Sequence, residues 1–130
     1  RAGIRADCLH GDIKQATREK TMADFRHGKL PVLIATDVAS RGIDVDDVDG
    51  VINYDVPEEN EYYIHRIGRT GRARKKGISF TLLGSFPEKA KLDEIAKFAG
   101  FRIVPMIFDE YGCLVPAPAE EKHPTSRRRF

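Results

Sequence analysis

The chain has 130 residues, of which 41% are hydrophobic and 8% aromatic, enough apolar material for the core of one ordinary domain and too much for a disordered chain. Its 22 basic and 20 acidic residues leave a net charge of only +2, so any phosphate or nucleic-acid contact must come from a local cluster. Cys8 and Cys113 lie far apart in the sequence and lack the spacing of metal ligands. No apolar run approaches the ~20 residues of a membrane span, so we expect a cytoplasmic protein.

The first third of the chain alternates between apolar runs and a helical pattern. Residues 6–9 form a short apolar stretch, and residues 14–27 carry apolar side chains at helical spacing before Gly28, which suits a left-handed helix cap. Residues 31–35, PVLIA, are a continuous run of mostly branched residues. Such a run predicts a strand covered on both faces.

The same alternation continues downstream. Residues 50–54 and 77–83 read as strands, and residues 60–69 between them read as a helix. Strand and helix in regular alternation predict an α/β domain with a largely parallel sheet. Ligands of such domains normally bind at the carboxyl ends of the strands, so the loops there are the candidate sites.

The C-terminal part contains one more helix and then loses its pattern. Ser85 and Glu88 form a capping box for a helix through Phe98 that Gly100 ends. One apolar face of that helix is formed by Leu92, Ile95, Ala96 and Ala99. We assign residues 1–104 to the domain and residues 105–130 to an extension, which is proline-rich and expected to be flexible from about residue 116.

The loop after the first strand, HGDIKQATR, can face a phosphate. Gln15 and Arg18 lie three residues apart at a helix start and project together, while the backbone amides of Gly11 and Asp12 add positive potential. A capped helix start with exposed polar residues would explain the same pattern.

The loop after PVLIA, TDVASRGID, follows directly on a predicted strand. Thr36 could bond a phosphate, and Asp44 could accept a hydrogen bond from a sugar hydroxyl. Alternatively, Asp37 or Ser40 caps a helix while Arg41 is merely solvated.

The third stretch, HRIGRTGRARKKG, is densely basic. On a helix, His65, Arg69 and Arg72 would share a face, and two arginines could clasp the terminal phosphate of a nucleotide. Gly68 and Gly71 would permit close approach. A solvated basic helix end, or one that touches a nucleic-acid backbone, remains the alternative.

Two motifs of nucleotide hydrolysis are missing from the sequence. It contains neither a GxxxxGK[ST] phosphate cradle nor a DExD or DExH quartet for magnesium. The chain is therefore not expected to hydrolyse a nucleotide alone by that route.

Taken in order, LHGDIKQATR, ATDVASRGID and YIHRIGRTGRARKKG resemble the C-terminal RecA-like domain of DEAD-box ATP-dependent RNA helicases over about residues 3–83. His65 in front of the arginines favours this branch over RecQ-type and DEAH-box helicases, which typically have glutamine there. The resemblance implies a three-layer RecA-like fold with a largely parallel central sheet flanked by helices. The first strand and helix of that fold are not found before Arg1, which suggests a fragment of a longer protein.

For the nucleotide, the resemblance implies that Arg69 and Arg72 are arginine fingers towards the γ-phosphate of ATP, and that Asp44 contacts the ribose. ATP and Mg²⁺ would be bound mainly by an N-terminal RecA-like domain. His65 and Arg66 would couple the two domains.

For RNA, the resemblance implies sequence-independent backbone contacts. The residues concerned are Gly11, Gln15, Arg18, Thr36, Ser40, Arg41 and Gly42. One departure is Arg74, which stands where many members have glycine. We expect the intact protein to unwind short RNA duplexes or remodel RNA–protein complexes. Alternatives are a non-catalytic RNA-binding or protein-docking module, or a DNA-directed helicase of a related branch.

Overall fold

The first structural unit is a strand, a helix and a second strand parallel to the first. A computed structural model describes residues 2–37, 48–71 and 76–119. Strand β1 (Ala6–Leu9) leads into helix α1 (Gln15–Arg26), and β2 (Val32–Ala35) returns beside β1, with Ala6 opposite Val32 and Leu9 opposite Ala35. Gly28 has the positive φ, 75°, that the sequence predicted for the residue after the helix.

The second unit repeats this arrangement. Strand β3 (Gly50–Asn53), helix α2 (Asn60–Ile67) and strand β4 (Ile78–Thr81) form another parallel pair joined by a helix, with Gly50 opposite Ile78 and Asn53 opposite Thr81. The parallel pairing of both units confirms the predicted α/β class, because strands joined through a helix can run in the same direction.

Helix α3 (Phe86–Ala99) follows the predicted boundaries closely. The Ser85 hydroxyl accepts a hydrogen bond from Glu88 N (3.3 Å), and Glu88 Oε2 accepts one from Gly84 N (2.7 Å), so the capping box closes one residue earlier than in its usual form. Gly100 ends the helix with φ of 77°, a conformation that residues with a Cβ rarely adopt.

One buried cluster holds α1 to β1, and a second packs α2 against α3. Leu9 of β1 packs against Met22 of α1, and Tyr63 of α2 packs against Leu92 and Ile95 of α3. The predicted apolar face of α3 is buried at Leu92, Ile95 and Ala96, whereas Ala99 is exposed. The second cluster fixes α2, the helix that carries the basic stretch.

Strand β2 confirms the strand predicted over residues 31–35, but the expectation that both of its faces are covered was wrong. Ile34 is 59% exposed and Val32 39% exposed, whereas Leu33, on the opposite side of β2, packs against the Leu9 and Met22 cluster. Only one face of β2 is covered because α1 lies on that side and no described element covers the other. Ile52 and Ile78 on the second parallel pair are likewise exposed.

A β-hairpin occupies part of the segment assigned to the extension. Strands β5 (Met106–Phe108) and β6 (Leu114–Pro116) pair antiparallel, and Asp109 Oδ1 in the turn accepts from the backbone amides of Tyr111 (2.9 Å) and Cys113 (2.8 Å). Strands of three residues give too little alternation to predict. The flexibility expected from residue 116 stays a prediction, since residues from 120 onward lie outside the described part. Within the described residues, every helix is too short or too polar to cross a bilayer.

Candidate functional site

The carboxyl ends of β1 and β2 lie side by side. The two strands are parallel and in register, and Thr36 N donates to Leu9 O (3.4 Å) just beyond the end of the ladder. The stretch that begins at Thr36 therefore starts beside the loop that contains Gly11. This juxtaposition places the first residues of the second predicted stretch beside the first predicted stretch.

The loop between β1 and α1 is held by local hydrogen bonds. His10 Nδ1 accepts from Asp12 N (3.2 Å), and Gln15 Nε2 donates to Glu19 Oε1 (3.3 Å) one turn along α1. Lys14 occupies the N-cap position without a side-chain cap, so the capped helix start offered as an alternative is not formed by a side chain. Gly11, Gln15 and Arg18 share this end of α1.

Arg66 of α2 joins the ends of two strands. Its Nε donates to Asp37 Oδ1 and its Nη2 to Asp37 Oδ2, both at 2.7 Å, which is the bidentate fork of an arginine on a carboxylate. Its Nη1 donates to the carbonyl oxygen (2.9 Å) and to Oδ1 (3.0 Å) of Asp55. We call Arg66, Asp37 and Asp55 together the Arg66 clasp. The clasp connects α2 to the residues that follow β2 and β3.

The two carboxylates of the clasp differ in exposure. The side chain of Arg66 is 19% exposed and that of Asp37 32%, whereas that of Asp55 is 71% exposed. Because exposed ion pairs contribute little, the bidentate pair with Asp37 is the stronger half of the clasp. The same hydrogen bond to Asp37 raises the pKa of Arg66, against the opposing effect of burial. The charged form of Arg66 therefore stabilises the fold throughout the neutral pH range. This contribution is lost only as the pH rises through the raised pKa.

Helix α2 is also anchored on its other sides. The Tyr63 hydroxyl hydrogen-bonds Thr81 Oγ1 of β4 (2.8 Å), and the Tyr63 ring stacks on Phe101 with centroids 5.9 Å apart. Beyond the helix end, Arg69 O accepts from Val48 N (3.0 Å). The position of α2, and of the residues directly after it, is thus fixed by polar as well as apolar contacts.

The predicted helix over residues 60–69 ends earlier than expected. Helix α2 stops at Ile67, with Gly68 as its C-cap, and Arg69 N donates to Arg66 O (3.4 Å) in a tighter turn. Gly71 then has a φ of 72°, which regular helix does not allow. The single helical face proposed for His65, Arg69 and Arg72 is therefore not continuous, because the chain leaves the helix between them.

Gly71 and Gly77 of the basic stretch have a local explanation. A Cβ at Gly77, just before β4, would clash with the backbone of Gly71. Two backbone segments thus approach closely at this turn, and Gly71 also requires its positive φ. This close approach is between two backbone segments of the same domain, so it does not require a bound phosphate.

Several predicted site residues can be placed, and others lie outside the described part of the chain. His65 is exposed on α2, and Arg69 is half-buried at the turn four residues later. Thr36 stands next to Asp37 of the clasp. The remaining predicted residues, Ser40, Arg41, Gly42, Asp44 and Arg72, are in the ranges that the structure does not describe, as is Arg74.

Sequence reasoning missed both carboxylates of the clasp. Asp37 was considered only as a helix cap, and Asp55 was not considered at all. The available signal was position, since each aspartate comes within two residues of the carboxyl end of a predicted strand. Over the described residues, no group of three or more His, Cys, Asp or Glu side chains is placed to hold a metal ion.

Comparison with known proteins gives one consistent result. The family described as "Helicase conserved C-terminal domain" matches residues 1–74. ATP-dependent RNA helicase FAL1 of Saccharomyces cerevisiae is 54% identical over 98 residues, which are 75% of this chain and 24% of FAL1. The chain thus spans about a quarter of the length of that curated relative.

Solved structures agree with the sequence comparison. The C-terminal domain of the DEAD-box protein Dbp5 is similar with a TM-score of 0.71 and 39% identity, over 75% of this chain and 58% of that domain. A structure of S. cerevisiae Dbp5 bound to RNA and ADP BeF3 gives a TM-score of 0.69 and 39% identity, over 75% of this chain and 27% of that one.

The chain therefore belongs to the helicase conserved C-terminal domain family. Within that family it is a RecA-like C-terminal domain of the DEAD-box kind, as its sequence resemblance indicated.

Proposed function

We propose that this chain supplies one half of an ATP-dependent RNA helicase. In the complete protein it would face an N-terminal RecA-like domain across a cleft. It would present Arg69 and Arg72 to the γ-phosphate of ATP, Asp44 to the ribose, and a row of backbone-binding residues to RNA. The product would be local unwinding of short RNA duplexes or remodelling of RNA–protein complexes.

The observation that carries this proposal is the contact between α2 and the end of β2. Through Arg66 and Asp37, the helix that leads to the arginine pair is joined to the stretch that begins at Thr36. Thr36 in turn bonds Leu9, beside the loop with Gly11. Among the described residues, Arg69, proposed for ATP, is therefore linked through Arg66 and Asp37 to Thr36, proposed for RNA.

For the nucleotide, this chain would contribute cations rather than a metal site. Arginine stays charged and forks onto phosphate oxygens, so it can stabilise the charge that develops during phosphoryl transfer. Arg66 is not a candidate for that role, because its guanidinium already binds Asp37 and Asp55. Magnesium, when bound, would neutralise phosphate charge, and its ligands would come from the N-terminal domain. His65 and Arg66 are proposed to couple the domains, and His65 is exposed on α2.

For RNA, the proposed contacts are Gly11, Gln15, Arg18, Thr36, Ser40, Arg41 and Gly42. Backbone amides, an amide side chain, hydroxyls and arginines are suited to phosphate and sugar oxygens, which carry no sequence information. The relative Dbp5 has been captured with RNA and ADP BeF3, which supports RNA as the ligand by similarity.

The choice of RNA over DNA can be tested with the two-domain protein, made by joining this chain to its N-terminal helicase domain. We expect single-stranded RNA to stimulate ATP hydrolysis more strongly than DNA of the same sequence, because only RNA carries the 2′-hydroxyl by which a protein distinguishes the two. Steady-state ATP turnover against oligonucleotide concentration measures it. Equal stimulation by DNA would indicate the DNA-directed branch, and no stimulation by either would favour a docking module.

A further inference from the structure

The hairpin of β5 and β6 has little support from the rest of the domain. Among the described residues, neither buried cluster includes a side chain of this hairpin. Met106, Phe108 and Leu114 share one of its faces and are 38%, 70% and 40% exposed. A two-stranded hairpin is at best marginally stable in water, whereas three or more strands with an apolar face can be stable. A further strand beside the hairpin would therefore stabilise it.

The hydrogen bonds of the hairpin determine which backbone groups point away from it. At the turn end of the ladder, Asp109 N donates to Cys113 O (2.9 Å). Bonded pairs alternate with non-bonded pairs in an antiparallel ladder. The next pair, Phe108 and Leu114, is therefore non-bonded. The N–H and C=O groups of both residues point outward, one set from each edge of the hairpin.

The two edges of the hairpin differ in their capacity to accept another strand. By the same alternation, Met106 and Pro116 form a non-bonded pair whose backbone groups also point outward. The β6 edge is interrupted there, because Pro116 has no N–H, and proline commonly protects sheet edges in this way. The β5 edge presents complete N–H and C=O groups from Met106 and Phe108. Within the described residues, these groups have no hydrogen-bond partner.

The charges around the β5 edge favour a second copy of the chain over a nucleic acid. Residues 103–119 contain no lysine or arginine, and their charged side chains are Asp109 and Glu110 at the turn. These acids repel phosphates. Both lie beyond one end of β5, whereas Arg102 precedes its other end. Two β5 strands paired antiparallel would therefore keep their acidic ends apart and bring Arg102 of each copy towards the acids of the other.

We propose that the β5 edge is a self-association surface, on which two copies of the chain pair their β5 strands antiparallel about a two-fold axis at Ile107. Met106 of each copy then stands opposite Phe108 of the other, so outward N–H groups meet outward C=O groups. A thioether beside an aromatic ring is a favourable contact between neighbouring strands. The product is a four-stranded sheet. This interface goes beyond the proposed function and does not depend on it.

Cross-linking tests the register of this pairing. The full chain is used with its exposed Cys8 and Cys113 both replaced by serine. Ile107→Cys then places one thiol on the two-fold axis, in a non-bonded pair whose Cα separation of about 4.5 Å suits a disulfide. We expect mild oxidation to give a covalent dimer, seen by non-reducing electrophoresis and mass spectrometry. Val115→Cys is the matched control: it lies opposite Ile107 but on β6, so it should stay monomeric.

Sedimentation equilibrium tests the association without a cross-link. Each β5 strand contributes only three residues, so we expect a weak dimer whose population rises with protein concentration. Phe108→Pro removes an outward N–H from the β5 edge and leaves a carbonyl of the other copy unpaired. It should raise the dissociation constant of the dimer by about tenfold or more. Leu114→Pro removes the equivalent N–H from the β6 edge and should leave that constant within about threefold.

The two experiments together decide between β5 pairing and its alternatives. Cross-linking of Ile107→Cys but not of Val115→Cys supports the pairing. Equal cross-linking of both variants, or of neither, overturns it. A chain that stays monomeric at every concentration, or equal weakening by Phe108→Pro and Leu114→Pro, also overturns it. If Phe108→Pro does not fold, the cysteine variants decide, because they keep every backbone N–H. ATP turnover is not measured, so none of these results bears on the proposed function.

Discussion

Replacing Arg72 with alanine is expected to lower the RNA-stimulated ATP turnover of the two-domain protein by about a thousandfold, and replacing Arg69 by a comparable factor. A guanidinium aimed at the γ-phosphate stabilises charge that is greater in the transition state than in bound ATP. Its loss should therefore reduce kcat far more than it raises the KM for ATP. Steady-state and single-turnover hydrolysis with saturating RNA measure both quantities.

The control for this experiment is another cation of the same stretch. Lys76→Ala removes an exposed positive charge four residues after Arg72 and should leave turnover within about twofold. If Arg72→Ala also stays within about twofold, the assignment of Arg72 as an arginine finger is wrong. If Lys76→Ala lowers turnover as strongly as Arg72→Ala, the stretch acts through its total charge and not through placed arginines.

Replacing Ile95 with alanine is expected to destabilise the fold by about 2–5 kcal/mol. Ile95 is completely buried on α3 and packs in the cluster with Tyr63 and Leu92. Removing three carbon atoms there loses their burial and leaves a cavity between α3 and α2. Because α2 carries His65 and Arg66, this loss should also weaken the site. Urea unfolding of the chain, followed by circular dichroism, measures the free energy of unfolding.

Phe98→Ala provides the comparison on the same helix. Phe98 is 60% exposed, so its removal should change the free energy of unfolding by no more than about 0.5 kcal/mol. A loss below about 1 kcal/mol for Ile95→Ala, or an equal loss for both variants, would mean that the cluster does not hold α2 in place.

The sequence predicted the helices and strands of this fold better than it predicted which of their faces are covered. The alternation of apolar runs and helical patterns, and the Ser85 and Glu88 capping box, depend on residues close together in the chain. Such local signals predicted the helices and the parallel strands. Whether Ile34 is covered depends on which element lies across the sheet, which a run of apolar residues does not specify.

The sequence predicted individual residues of the candidate site but not the hydrogen bonds between them. The motifs identified Arg66 and Arg69, yet the carboxylate that Arg66 binds through two parallel hydrogen bonds belongs to Asp37, 29 residues earlier in the chain. A pairing over that distance follows from the tertiary arrangement of β2 and α2. The end of α2 was misplaced by two residues because the periodicity of His65, Arg69 and Arg72 favoured a longer helix than Gly68 and Gly71 permit.

This chain is proposed to complete an ATP site whose other half lies in an N-terminal RecA-like domain. The most direct measurement compares RNA-stimulated ATP turnover of that N-terminal domain alone with turnover of the two domains joined. We expect strong stimulation by RNA only in the joined protein, and a return towards the level of the isolated domain when Arg69 and Arg72 are both replaced with alanine. Equal RNA-stimulated turnover by the isolated N-terminal domain would contradict the claim.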